Sequence, residues 1–101
     1  MKKRYAYLVI QDDRTWPVTS HNDTQRHTLG CHTNKRSAIE HLRGCVDARV
    51  RMGLEVVRDT PINYPKEGRS VTDRMELSVY MSKPDRSNTC EFTVERFILK
   101  Q

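Results

Sequence analysis

The chain has 101 residues, of which 36% are hydrophobic and 31% charged, and its formal net charge is +5. A chain of this length builds one modest core, so the sequence predicts a single compact domain over residues 1–101. No apolar run reaches the roughly 18 residues that a membrane-spanning helix requires. The basic start is followed by alternating residues and not by the apolar core of a signal peptide, so we expect a cytoplasmic protein without membrane contact.

The positive charge is distributed unevenly. Residues 1–51 hold ten Lys and Arg against five Asp and Glu, whereas residues 52–101 hold eight against eight. Because the whole excess lies in the first half, we expect that half to face a macromolecular partner with an acidic surface.

The first third of the chain predicts two strands separated by a long loop. Residues 3–11 alternate with apolar side chains on both faces, which is typical of a strand in the middle of a sheet. Residues 12–27 are polar and irregular, so a long loop is expected there. Residues 28–32 then predict a short second strand.

Residues 33–53 predict the one main helix. Thr33 or Asn34 has the side chain of an N-cap, and Gly53 supplies the usual left-handed stop. The apolar residues recur at helical spacing and form the broad stripe expected of a helix that lies on a sheet: Ala38, Ile39, Leu42, Cys45, Val46, Val50 and Met52.

The last half predicts three more strands. A short strand over 54–58 is followed by a loop over 59–72, which contains two prolines and a glycine. Strands over 73–82 and 89–99 flank a turn over 83–88, and a bulge near Glu95 or Arg96 brings the last strand into phase. The predicted fold is α+β, a mostly antiparallel sheet of four to five strands on one helix, in the order β-β-α-β-β-β.

Three basic residues of the helix occupy unusual positions. Lys35 and Arg36 lie at the positive end of the helix dipole, which is unfavourable without a nearby anion. Arg49 projects from the middle of the apolar face. Each position has two explanations. In the first, the side chain is exposed to solvent or pairs with an internal carboxylate such as Glu55. In the second, it forms a site for an anionic ligand.

Aromatic side chains in the two predicted loops are candidates for partner contacts. Trp16 lies near Arg14, and Tyr64 lies in the same loop as Arg69. Trp, Tyr and Arg are the residue types that anchor protein interfaces. The alternative for Trp16 is that it folds back to close the open end of the core.

No catalytic, cofactor or metal motif is recognisable. His21, His27, Cys31 and His32 fall close together, but their spacing fits no compact zinc module, and adjacent strand residues such as Cys31 and His32 point to opposite faces. We therefore expect no metal, no cofactor and no catalytic residues.

Three functions remain. The first is a non-catalytic protein that docks on a protein or a protein–nucleic acid complex, such as a phage or mobile-element accessory or inhibitor protein. The second is a nucleic-acid-binding module with Tyr5 and Tyr7 as stacking platforms, and the third is a small basic ribonuclease. The sequence is also compatible with a homodimer that forms through an edge strand. The predicted anion or nucleic-acid contacts are Lys2, Lys3, Arg4, Arg26, Asn34, Lys35, Arg36 and Arg49.

Overall fold

The computed structural model describes residues 4–20, 23–65 and 72–99. Within these ranges it holds five strands and one helix, and the predicted α+β class and element order are confirmed. No helix among them is long and apolar enough to cross a membrane. The elements are β1 (Arg4–Thr15), β2 (Thr24–His32), α1 (Lys35–Arg51), β3 (Glu55–Pro65), β4 (Thr72–Ser82) and β5 (Asn88–Leu99).

The five strands form one antiparallel sheet in the order β2-β1-β5-β4-β3. β1 lies between two strands, as its two apolar faces predicted. β2 and β3 form the edges. Pro61 and Pro65 lie in β3, and an edge strand tolerates proline because its outer N–H groups have no ladder partner.

The connections are shorter than the sequence suggested. Residues 12–15 and 24–27, which were predicted as part of a loop, belong to strands because their polar residues pair across the β1–β2 ladder, for example Asp12 with Arg26. The loop predicted over 59–72 is strand up to Pro65 and again from Thr72, and residues 66–71 lie outside the described part. Polarity and proline indicated loops, whereas long-range strand pairing overrode these local signals.

The irregularity predicted near Glu95 or Arg96 lies in the neighbouring strand. β5 pairs with β1 without a break, whereas its pairing with β4 shifts register twice, at Asp73 and at Glu76. Each of these is an extra residue in β4. The phase change was therefore predicted at the right point along the hairpin but in the wrong strand.

Helix α1 begins and ends close to its predicted limits. Asn34 is the N-cap, and its side-chain oxygen accepts the Ser37 N–H at 2.8 Å. Gly53 follows the helix with φ 97°, the left-handed conformation that favours glycine. The helical residues run from Lys35 to Arg51, two fewer at each end than predicted.

The hydrophobic core lies between α1 and one face of the sheet. Ala38, Leu42 and Val46 are the buried helical residues. Val50 and Met52, which were predicted on the apolar stripe, are 50% and 63% exposed because they lie at the far end of the helix. The strands and the segment after the helix contribute the rest of the core: Val9, Leu54, Leu77, Val79, Met81, Cys90, Phe92 and Val94.

The second face of the sheet carries no helix among the described residues. At its centre Ser78, Thr93 and Glu95 are buried although they are polar. Glu95 accepts a hydrogen bond from Arg26 at 3.2 Å, and Ser78 donates to Glu91 at 3.0 Å. Hydrogen bonding between strands therefore stabilises this polar layer.

Candidate functional site

A groove lies at the end of the sheet, beside the β4–β5 turn, and we call it the Trp16 groove. It consists of two adjoining pockets of about 310 and 580 Å³ that share Trp16, Tyr80 and Thr89. The other lining residues are Asp12, Asp13, Arg14, Thr24, Val57, Ser82, Arg86 and Glu91. Because these residues come from distant parts of the chain, only the tertiary structure assembles them.

Two hydrogen bonds fix Trp16 in the groove. Its backbone N–H donates to the Ser87 carbonyl at 2.9 Å, and its indole N–H donates to Thr89 Oγ at 3.1 Å. The peptide bond from Trp16 to Pro17 is cis. The side chain remains 43% exposed and is absent from the core cluster, so it does not close the end of the core.

An arginine guanidinium lies over each aromatic wall of the groove. The Arg14 Cζ atom lies 5.2 Å from the Trp16 ring centroid, and the Arg58 Cζ atom lies 5.9 Å from that of Tyr80. A cation–π contact engages the charge of a guanidinium, whose N–H groups can still donate to other acceptors. Tyr80 is not among the contacts predicted from the sequence, where it alternates with the apolar Val79 and Met81. That alternation was the one signal pointing to it.

Among the described residues, every carboxylate that lines the groove is neutralised. Each one accepts a hydrogen bond from an arginine: Asp12 from Arg26 at 3.1 Å, Asp13 from Arg49 at 3.2 Å and Glu91 from Arg58 at 3.0 Å. Arg14 and Arg86 form no ion pair with any described residue. The groove therefore presents two positive charges that the described part of the chain leaves unneutralised.

Arg86 lies in the β4–β5 turn with an unusual backbone. Its φ is 62°, a left-handed conformation that non-glycine residues rarely adopt. The turn is closed by the Arg86 N–H, which donates to the Lys83 carbonyl at 2.9 Å. Asp85 accepts hydrogen bonds from the hydroxyl and the backbone N–H of Ser87, and these lower the pKa of Asp85.

The anion expected at the helix start is supplied by the chain itself. Lys35 Nζ lies 3.0 Å from Glu76 Oε2, and the Glu76 side chain is only 4% exposed. Arg36 pairs with Glu40 one turn along the helix. The Asn34 side chain caps the helix. All three residues predicted to bind an external anion here already have internal partners.

Two other predicted anion contacts are also ion-paired. Arg49 pairs with Asp13 of β1 and not with Glu55. Arg26 bridges Asp12 and the buried Glu95. The sequence anomaly at Arg49 thus reflects an internal pair, which was the simpler of its two explanations.

A second cleft lies at the start of α1. It has a volume of about 490 Å³. Tyr5 and Tyr7 contribute to its lining, and the Arg96 Cζ atom lies 4.1 Å from the Tyr5 ring centroid. The remaining lining residues are Arg4, Thr33, Asn34, Lys35 and Leu99. Three predicted anion or nucleic-acid contacts, Arg4, Asn34 and Lys35, therefore lie beside the predicted stacking tyrosines.

Several predicted residues are not placed. Lys2, Lys3 and Arg69 lie outside the described residues. The backbone of Tyr64 pairs with that of Met75, so Tyr64 lies in a strand and not in a loop. The structure brings Tyr80 of β4 to the groove that Trp16 lines.

The histidines separate into different environments. His32 Nε2 lies 2.9 Å from His41 Nδ1, and the ring centroids are 5.1 Å apart. The distance between the centroids nearly equals the N–N distance plus the radii of the two rings. The two nitrogens therefore point directly at each other, as in an N–H···N hydrogen bond. His27 instead contacts Gln25. Among the described residues no three His, Cys, Asp or Glu side chains converge to hold a metal ion, and His21 lies outside them.

Comparison with known proteins assigns no function to the candidate site. No protein family, curated protein sequence or solved structure matches the chain. A function is therefore inferred from the contacts, charges and burial of the described residues.

Proposed function

We propose that the protein is a non-catalytic binding protein that docks through the Trp16 groove on a macromolecular partner with an acidic surface. The observation that carries this proposal is the pair of unneutralised guanidinium groups, Arg14 and Arg86, beside the exposed ring of Trp16. An accessory or inhibitor protein, which acts by occupying the surface of another protein, requires such a site and no reactive group.

The composition of the groove supports a protein interface. Trp, Tyr and Arg are the residues that most often carry binding energy when they lie at the centre of a contact. Trp16 is held by two hydrogen bonds to β5 and the preceding turn. An anchor that is fixed before binding loses little conformational entropy in the complex.

The location of the groove modifies the expectation from charge distribution. Arg14 belongs to the basic first half of the chain, but Arg86 belongs to the neutral second half. Most basic residues predicted as contacts and placed by the structure have internal carboxylate partners, so net charge overstates what they offer to a ligand. The positive charge that a partner can meet is therefore that of the cations without an internal ion pair.

Affinity capture from the native host tests the proposal. The immobilised protein and its Trp16→Ala variant are compared after nuclease treatment at two salt concentrations. We expect a defined protein to be retained by the wild type and lost with Trp16→Ala. Val50→Ala, which removes another exposed apolar side chain at a position that lines neither cleft, is the matched control. Retention of the same protein by Trp16→Ala, or recovery of nucleic acid alone, would contradict the proposal.

A second candidate function is nucleic-acid binding at the helix-start cleft. The observation that favours it is that Tyr5 and Tyr7 share this cleft with Arg4, and bases stack on aromatic rings beside basic groups. A titration with single-stranded DNA at about 50 mM salt tests it, because phosphate contacts are strongest at low salt. Tyr7→Ala weakens binding if the candidate is correct. No observation on the described residues favours the ribonuclease alternative.

A further inference from the structure

The backbone of Arg86 has a conformation that arginine rarely adopts. A φ of 62° is adopted readily by glycine and by asparagine, and rarely by other residues. The turn around Arg86 is closed by backbone hydrogen bonds and by Asp85, none of which uses the guanidinium. The Arg86 side chain instead lines the Trp16 groove. The hydrogen bonds that close the turn therefore leave the Arg86 guanidinium unused.

Arg14 offers a second cation at the same groove. Its guanidinium lies over the Trp16 ring, with Cζ 5.2 Å from the ring centroid, and it forms no ion pair with any described residue. A planar guanidinium held in this way suits two parallel hydrogen bonds to one carboxylate. Val57 and Tyr80 provide apolar surface in the same groove.

The surroundings favour a peptide over a nucleic acid. One face of the Trp16 ring is already covered by Arg14, which removes a stacking surface for a base. An apolar side chain of a peptide can instead pack against Val57 and Tyr80, which also line the groove.

We propose that the Trp16 groove binds an extended acidic peptide segment of the partner, with one carboxylate on Arg14, another on Arg86 and an apolar side chain between them against Tyr80 and Val57. This inference rests on the proposed function and names the chemistry of its partner. Charge complementarity carries it, since the carboxylates of the groove are paired and these two arginines are not, within the described residues.

Fluorescence polarisation with three labelled probes tests the inference. The probes are a peptide of alternating Glu and Leu, the same peptide with Gln in place of Glu, and an oligothymidylate. We expect the Glu peptide to bind at least about tenfold more tightly than the Gln peptide. Arg14→Gln and Arg86→Asn are each expected to weaken its binding about fivefold or more, while Lys83→Gln, an equal loss of charge in the same turn, changes it less than about twofold.

Arg86→Asn also separates binding from folding. Asparagine adopts the left-handed conformation more readily than arginine, so thermal unfolding of this variant is expected at the same temperature or higher. Equal binding of the Glu and Gln peptides, preference for the oligothymidylate, or equal effects of Lys83→Gln and Arg86→Asn would overturn the inference. If the Glu peptide fails to bind while Trp16→Ala still abolishes partner capture, only the acidic-peptide inference fails. If capture survives Trp16→Ala, the proposed function fails.

Discussion

Arg49 Nη2 lies 3.2 Å from Asp13 Oδ2 and ties α1 to the end of β1. The two side chains are only 20% and 25% exposed. Asp13 also receives hydrogen bonds from Gln11 and Asn88. Arg49 therefore belongs to a small polar network beside the core, at the end of the sheet that carries the Trp16 groove.

Arg49→Leu is expected to lower the free energy of unfolding by about 1–3 kcal/mol, because it leaves the Asp13 carboxylate partly buried without its cation. Urea unfolding followed by circular dichroism measures the change. Arg36→Leu is the matched control, since Arg36 and Glu40 are largely exposed and such pairs contribute little. Equal stability of both variants would show that Asp13 does not need Arg49.

Gly30→Ala is expected to destabilise the fold by about 1–3 kcal/mol through overpacking. A Cβ atom at Gly30 would lie 2.7 Å from His41 Cε1. Gly44→Ala is the opposite case, because nothing lies within 4 Å of its added Cβ, and it is expected to stabilise the helix by about 0.5–1 kcal/mol.

A double-mutant cycle identifies the cause of the Gly30 effect. If the clash with the His41 ring is responsible, Gly30→Ala costs less in a His41→Ala background than in the wild type. Thermal or urea unfolding of the four proteins gives the coupling free energy. Strict additivity would mean that Gly30 is required for another reason.

Asp23 makes the segment that carries Trp16 sensitive to acid. The backbone N–H of Thr19, then its hydroxyl, then the backbone N–H of Ser20, lower the pKa of Asp23 from its ordinary value of 3.8. A lowered folded-state pKa gives stability that is fully present above the unfolded-state value and is lost as pH falls through the folded-state pKa. The stability difference between wild type and Asp23→Asn is therefore expected to be constant at neutral pH and to shrink below about pH 3.8. A difference that does not change with pH would contradict this assignment.

The three thiols are expected to react at very different rates. Burial, followed by the negative charge of Asp13, raises the pKa of Cys90 to about 12, and burial raises the pKa of Cys45. Cys31 is exposed. Because the thiolate is the nucleophile, iodoacetamide at about pH 8 should label Cys31 first, and Cys90 only after denaturation. Mass spectrometry of the peptides reads the order, and rapid labelling of Cys90 in the native protein would contradict its burial.

The sequence determined the elements whose signals are local. The alternation of residues 73–82, the helical stripe around Leu42 and the left-handed stop at Gly53 predict the hairpin and helix that the structure shows. Periodicity and caps depend on neighbouring residues, so they can be read along the chain. The same reasoning predicted loops at 12–15 and 24–27, where only pairing between distant polar residues reveals a strand.

The tertiary structure decided which charges are available. From the sequence, Lys35 and Arg49 looked like cations without an anion, yet Glu76 and Asp13 meet them from distant strands. Arg14 was singled out only for its place near Trp16, and Arg86 was not singled out at all. These two are the cations of the groove that remain unpaired within the described residues. Ion pairing depends on separations of a few ångströms between atoms far apart in sequence. The order of residues alone therefore fixes the number of charges, and the fold fixes which of them a partner can meet.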